Sequence, residues 1–529
     1  MNNSAMMSPW AGFQAACQAN PDATALEIAD QQWTYKDIDV WCGRLMGALL
    51  DVLQDKDRPQ KVAVLASRSL TAYAGSLAVL ALGATHVALN PAYPPERNAA
   101  ILRRAGISTI LVGPEGLALV EPLAALLGTP VTVLAPLSCF EPQALGIQRV
   151  YDERHFAKAR RPASLPEPAD DAAAYIVFTS GSTGEPKGVV ITQRNLAVYM
   201  RNFRQLAPPL AADRVATTYE LTFDVALHDL LNAWWSGATL VVMPERAMLA
   251  PARFILDKQI TYWFSVASFA LILQKQGLLR AGIFSRLRVS LLCGEALPKA
   301  TAMAWSEAAP ASVLYNVYGP TETTMELSFY RWQTGVSEEA CLRGVVPIGI
   351  PFADHQHLLL DEFGQEVIGN GEGELYLCGP QVGPGYLGDA QRTAETFVAL
   401  EGRPGVWYKT GDRVERDAMG VYHFISRVDF MVKIRGNRIE LGEVEHGLRE
   451  ASGVDLVAVI PLPALDGMAQ GLVGFVSAPC QYTGAALRDR MITLLPKAML
   501  PDEIRILEDF PLNANRKVDR SALAALLRS

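Results

Sequence analysis

From Val62 onward, short unbroken apolar runs alternate with longer stretches whose apolar positions recur at helical spacing. VAVLAS (62–67) leads into a helical stretch over 70–81, then HVALN (86–90), the helical ERNAAILRRA (96–105) and STILVG (108–113). Apolar strands joined by amphipathic helices predict βαβ units and mainly parallel sheets. The same rhythm returns from Ala173 to about Gly319. Between Gly344 and Tyr422 it gives way to short strands with Gly/Pro turns, which predict a smaller β-rich subdomain. Beyond Ser426, VKIRGNRIE (432–440) reads as a strand–turn pair, a helix starts near Leu441, and a mixed tail ends in PLNANRKVDRSALAALL (511–527). The expected fold class is therefore α/β. A large N-terminal domain (residues 1–427) would hold two βαβ-type subdomains and the β-rich one. A small α+β C-terminal domain (428–529) would follow a junction near Arg427-Val428-Asp429.

Composition narrows the class. At 529 residues the chain exceeds what one core supports. Half of it is apolar and 19% charged, which suits a packed enzyme rather than a disordered scaffold. A net charge of -8 argues against nucleic-acid or anionic-membrane partners, so anions must be met by local lysines and arginines. No apolar run is long enough to span a bilayer and the N-terminus lacks a signal pattern. Seven scattered cysteines without a C-x-x-C fit reduced thiols, so a cytoplasmic location is expected.

The segment YIVFTSGSTGEPKGVV (175–190) carries the first chemistry. An apolar run ends at Phe178, and Thr179, Ser180, Gly181, Ser182, Thr183 and Gly184 then form a loop whose N–H groups and hydroxyls can turn toward one anion, with Lys187 adding positive charge. That chemistry suits a polyphosphate. It is not a Walker loop, because the spacing from Gly181 to Lys187 departs from G-x-x-x-x-G-K-[ST]. Gly383 to Gly388 matches G-x-G-x-x-G, but no helix-forming run opens at the third glycine, so a tight turn is expected there instead of a dinucleotide site.

Four further segments stand in order: NVYGPTE (316–322), YKTGD (408–412), RVD with KIRG (427–436) and NRKVDR (515–520). With the glycine loop they make the chain resemble the adenylate-forming superfamily, and within it the adenylation domains of nonribosomal peptide synthesis, over nearly its whole length. The resemblance implies a mobile C-terminal domain and two steps: ATP activates a carboxylate as its adenylate, and the acyl group then passes to a phosphopantetheine thiol. It assigns residues 179–184 and Lys187 to the β- and γ-phosphates. Tyr318, Asn316 and Gly319, with Gly294-Glu295-Ala296, fall to the adenine, Thr321 to the α-phosphate and Glu322 to Mg²⁺. Asp412 falls to the ribose hydroxyls, Arg427 and Lys433 to the ribose and phosphate side, Asp429 to the hinge, and Lys517 to the reacting carboxylate and α-phosphate. Gln193, Ser426 and Arg516 depart from the family's usual residues, and none removes a charge the scheme needs.

Asp224 stands where amino-acid-activating relatives bind the substrate's α-ammonium. Carrying the family's remaining pocket positions across gives Val225, His228, Ser265, Leu291, Cys293, Val317, Met325 and Glu326. The resemblance thus implies a small polar, serine-like amino acid, or a short diamino acid, and a buried Glu326 must bond a substrate hydroxyl or amine, pair with His228, or be protonated. No carrier segment follows Lys517, so a free-standing enzyme loading a carrier protein in trans is expected. The alternative is an acyl- or aryl-CoA ligase on the same scaffold.

Overall fold

The computed structural model describes residues 8–53, 60–141, 146–179, 186–428, 431–462, 469–511 and 518–527. Within them the expected α/β architecture is present: two large sheets, a smaller antiparallel sheet, and two small sheets in the C-terminal hundred residues.

The first large sheet has eight strands. From one edge they run Gly385–Tyr386, Lys187–Thr192, Ala173–Thr179, Thr85–Leu89, Lys61–Leu65, Thr109–Val112, Val131–Ala135 and Ile147–Asp152. The last six of these pair in parallel, and the first two join antiparallel. The second sheet, of nine strands, centres on Arg214–Thr217, Tyr262–Val266, Val289–Cys293 and Val313–Tyr318, all in parallel. Strand alternation distributes the apolar residues: Val62 and Val64 face a core shared between the sheets, while Ala63 and Leu65 face an outer one. The helix Leu70–Ala81 lies in the shared core with all twelve residues buried, which is why its sequence is apolar all round. Ser69 starts it by accepting the Ala72 N–H.

The β-rich stretch forms a five-stranded antiparallel sheet including Gly371–Cys378, Trp407–Arg416 and Tyr422–Arg427. Gly383 to Gly388 departs from the expected tight turn. Gly385 and Tyr386 pair with Val190 and Val189 and extend the edge of the eight-stranded sheet, and the next helix opens only at Ala390.

Residues 431–527 have apolar clusters of their own. The expected strand–turn pair is a hairpin of Met431–Ile434 and Asn437–Glu440. Its two-residue turn, Arg435-Gly436, has φ of 50° and 77°, the conformation that matches strand twist. Helix Leu441–Ser452 follows. Among the described residues no helix is long and apolar enough to cross a membrane.

Candidate active site

The expected site residues converge where the ends of both large sheets, the β-rich sheet and the Met431–Glu440 hairpin meet. A cavity of about 300 Å³ is lined there by Thr179, Asp224, Val225, Cys293, Gly294, Tyr318, Gly319, Thr321, Met325, Glu326, Asp412, Arg427 and Lys433, among others. An adjoining cavity adds Glu295, Ala296, Asn316 and Val317. Ser180 to Gly184, Asp429 and Lys517 lie outside the described residues.

At the end lined by Tyr318, Asp412 and Arg427 the hydrogen bonds are already organised. Tyr318, closing its strand, donates its hydroxyl to Asp412 Oδ2 at 2.5 Å, and Arg427 Nη1 donates to Asp412 Oδ1 at 2.8 Å. Asp412 and Arg427 are direct partners in the antiparallel ladder, so backbone register sets this ion pair. Asn316 commits its amide nitrogen to the carbonyls of Pro347 (2.8 Å) and Val346 (3.3 Å), leaving Oδ1 to accept. Glu295 accepts from the N–H groups of Ser268 and Gly436 at 3.1 and 3.0 Å, which ties the hairpin turn to the larger body. A β-carbon at Gly436 would lie 2.3 Å from Val266, so this turn needs glycine for space as well as for φ.

Thr179 and Lys187 face each other across the mouth of the glycine loop. The Lys187 ammonium is buried 3.7 Å from Glu322 and 3.5 Å from Glu440, over the ring of Tyr386. Burial and the charge of Arg438 bring its pKa down to about 8 against the pull of the two glutamates. Glu322 is fully buried: Oε1 accepts from Tyr386 at 2.9 Å and Oε2 from Arg438 at 2.8 Å. Burial alone would raise its pKa, but Arg438 and Lys187 outweigh that and hold the carboxyl well below its usual range. The arrangement does not fit Mg²⁺, because two cationic side chains hold the carboxylate that the ion would need. Arg438 was legible within VKIRGNRIE, but its partner is 116 positions away.

The same cavity also holds two buried acids, Asp224 and Glu326. Asp224 opens the helix Asp224–Ser236 and is 6% exposed. Its Oδ2 is buried with no hydrogen-bond partner. Burial, reinforced by the charges of Glu326 and Glu322, pushes its pKa up to about 7, against the N–H groups of Met325 and Val225. His228 sits one helical turn beyond, behind the wall and fully buried, edge-on to Phe203 and Phe264 at 4.4 and 4.8 Å. Tyr199, which the sequence reading missed, stands between His228 and Glu326. Its hydroxyl donates to Glu326 Oε2 at 2.5 Å and contacts His228 Nδ1, itself 3.5 Å from that same oxygen.

Glu326 reaches the cavity from a strained turn. Thr324 and Met325 have φ of 62° and 61°, and the turn presses so closely on Gly319 that a β-carbon there would lie 1.9 Å from the Met325 carbonyl. Buried Gln381 braces it, donating to the carbonyl of Glu326 at 3.1 Å and, at 3.4 Å, to those of Thr323 and Thr324. No local pattern marks Gln381.

Three pocket positions need correction. Ser265 faces away from the cavity: its hydroxyl accepts from the Trp263 indole at 2.9 Å and donates to the Val266 carbonyl. Its neighbour Phe264 pairs in register with Leu291 and packs on His228 in the core shared between the sheets. The expectation slipped by one residue, and one residue turns a strand position to the opposite face. Leu291 and His228 form the layer behind the wall, not the wall itself.

Comparisons with known proteins agree with this geometry. The sequence profile described as AMP-binding enzyme matches residues 13–387. Phosphinothricin tripeptide synthetase PhsC of Streptomyces viridochromogenes is 34% identical over 525 residues, covering 97% of this chain and 44% of its own length. The chain spans less than half the length of the curated relatives it matches first. Among solved structures, the Vibrio cholerae adenylation domain AlmE, in complex with glycyl-adenosine-5'-phosphate, superposes with a TM-score of 0.86 at 29% identity, covering 99% of this chain and 98% of that one. PA1221 in its holo form, a nonribosomal peptide synthetase protein containing adenylation and PCP domains, gives 0.79 at 25% identity, covering 98% and 84%. The match over most of its length, the relatives and the shared fold together place the chain in the adenylate-forming AMP-binding enzyme family, among adenylation domains of the nonribosomal peptide synthetase type.

Proposed function

We propose that the protein joins an amino acid to ATP as the aminoacyl adenylate and then loads it onto the phosphopantetheine thiol of a separate carrier protein, in the cytoplasm. In the first step a carboxylate oxygen of the amino acid bonds to the α-phosphorus while the bond to pyrophosphate breaks. In the second, the thiol sulfur takes the acyl carbon and AMP leaves.

One observation carries the reading: a buried carboxylate oxygen of Asp224, without a partner, beside a nucleotide-sized space. An ammonium is the group that satisfies it, and an anionic or neutral acid leaves it unpaired, at a cost of about 1–3 kcal/mol. Tyr318, Asn316 and the 294–296 turn then suit the adenine, and Asp412 with Arg427 suits the ribose. Thr179, the glycine loop, Thr321 and Lys187 suit the phosphates. Lys517 is assigned to the reacting carboxylate on the family resemblance. On the family resemblance residues 428–529 are assigned as a lid hinged near Asp429, and Arg438 in that segment now holds Glu322. The solved relatives that hold a glycyl adenylate and a PCP domain support the substrate and acceptor classes.

The test is ATP–pyrophosphate exchange across an amino-acid panel, followed by loading of a separately purified carrier. The wild-type protein should show exchange with at least one amino acid, and Asp224→Ala should lower kcat/KM for it by about ten- to hundredfold. A protein active on fatty or aryl acids, and indifferent to Asp224→Ala, would be a CoA-ligase type enzyme instead.

A further inference from the structure

The side-chain end of the amino-acid cavity carries more negative charge than one α-ammonium can match. Asp224 and Glu326 both line it, and both are at least nine-tenths buried. One ammonium at Asp224 therefore leaves the charge of Glu326 to be met by something else.

Among the described residues little meets it: Lys433 and Lys497 line the same cavity, but neither forms an ion pair with Glu326. The arginines on the cavity wall each hold a carboxylate of their own: Arg97 pairs with Glu443, Arg427 with Asp412 and Arg438 with Glu322. His228 is a poor counter-ion. Its Nδ1 is 3.5 Å from Glu326, with the Tyr199 hydroxyl in contact with both, and its Nε2 is buried with no partner. Charging the ring would bury an N–H without an acceptor. The single proton of Tyr199 goes to Glu326, so the hydroxyl accepts from His228 Nδ1–H, and the chain runs imidazole to phenol to carboxylate. That chain orients Glu326 without neutralising it. Glu326 Oε2 is spent on Tyr199.

From this we infer that the substrate is a short diamino acid, such as ornithine or diaminobutyrate, whose second ammonium binds Glu326 while Asp224 holds the first. Tyr199 is the positioning residue that aims the carboxylate through its hydroxyl. Cys293 and Met325 line the same cavity as the two acids and offer apolar surface to a short methylene chain. The Cys293 thiol bonds the Tyr219 hydroxyl at 3.3 Å, and burial raises its pKa, so it stays a neutral, packing wall. The inference rests on the reading of this cavity as an amino-acid site.

The experiment measures pyrophosphate exchange by the full-length protein with ornithine, diaminobutyrate, serine and norvaline, the last an isostere lacking the terminal amine. The diamino acids should exceed norvaline and serine in kcat/KM by tenfold or more. Glu326→Gln should erase about ten- to hundredfold of that advantage. Tyr199→Phe should reduce the preference while leaving KM for ATP unchanged. Serine or norvaline matching the diamino acids overturns this inference alone. Exchange with no amino acid at all overturns the adenylation reading beneath it. The wild-type comparison decides the matter even if a variant fails to fold, which thermal unfolding would reveal.

Discussion

Replacing Arg438 by methionine tests how the C-terminal hairpin is held against the larger body. Arg438 donates to Glu322 at 2.8 Å, and the glutamate is fully buried. Without the guanidinium, Glu322 keeps the Tyr386 hydroxyl and a Lys187 ammonium at 3.7 Å. Removing one partner of a buried pair costs roughly 3–5 kcal/mol, because the remaining charge stays desolvated. Here the strain has an outlet, since Met431–Glu440 can lift away and let water or a cation reach Glu322. About 3 kcal/mol then appears as a shift of more than a hundredfold toward the lifted state, not as global unfolding. Contacts that remain include Gly436 N–H to Glu295 and Lys187 to Glu440 at 3.5 Å, and Arg97 still holds Glu443 in the following helix. Hydrogen exchange followed by mass spectrometry reads this directly. Amides of Met431–Glu440 should exchange about a hundredfold faster in R438M, while the strand Val313–Tyr318 keeps its protection. Pyrophosphate exchange should persist, because Asp224 and Asp412 on the cavity wall are left in place. Unchanged hairpin protection in a folded R438M protein refutes the reasoning.

Two other predictions follow from the pocket. The Asp224 pKa of about 7 lies above its unfolded value near 4, so the folded state holds its proton more tightly and this group's contribution falls as pH rises between those values. Asp224→Asn should therefore gain on the wild type in thermal stability from pH 5 to pH 8, by roughly 3 kcal/mol at most, whereas the wild-type KM for the amino acid should drop over the same range as the carboxylate ionises; a constant difference in Tm across that range contradicts this. Phe264→Ala should cost about 3–5 kcal/mol in chemical denaturation and change amino-acid preference, whereas Ser265→Ala should cost about 1–3 kcal/mol by orphaning the Trp263 indole N–H, with preference unmoved; equal effects on preference would show that both side chains reach the substrate.

The sequence by itself determined much of this protein. Strand–helix alternation specified the layered α/β plan, because a period of two and a period of 3.6 bury different residues and cannot be exchanged. The helix Leu70–Ala81 and the hairpin at Arg435-Gly436 follow from apolarity and turn chemistry within a few residues. The Thr179–Lys187 loop stood out for the same local reason, its glycines, hydroxyls and lysine being contiguous, whereas Asp224 and the Asn316–Glu322 segment were singled out through the family resemblance. Tertiary structure decided the partners. Tyr199 meets Glu326 across 127 positions, Arg438 meets Glu322 across 116, and Gln381 braces the Thr324 turn across 57. Only folding brings those atoms within hydrogen-bond reach, and no spacing rule encodes a contact made between separate elements. The facing of Phe264 lies between the two cases: alternation was readable, but its phase was set by Leu291 on the neighbouring strand.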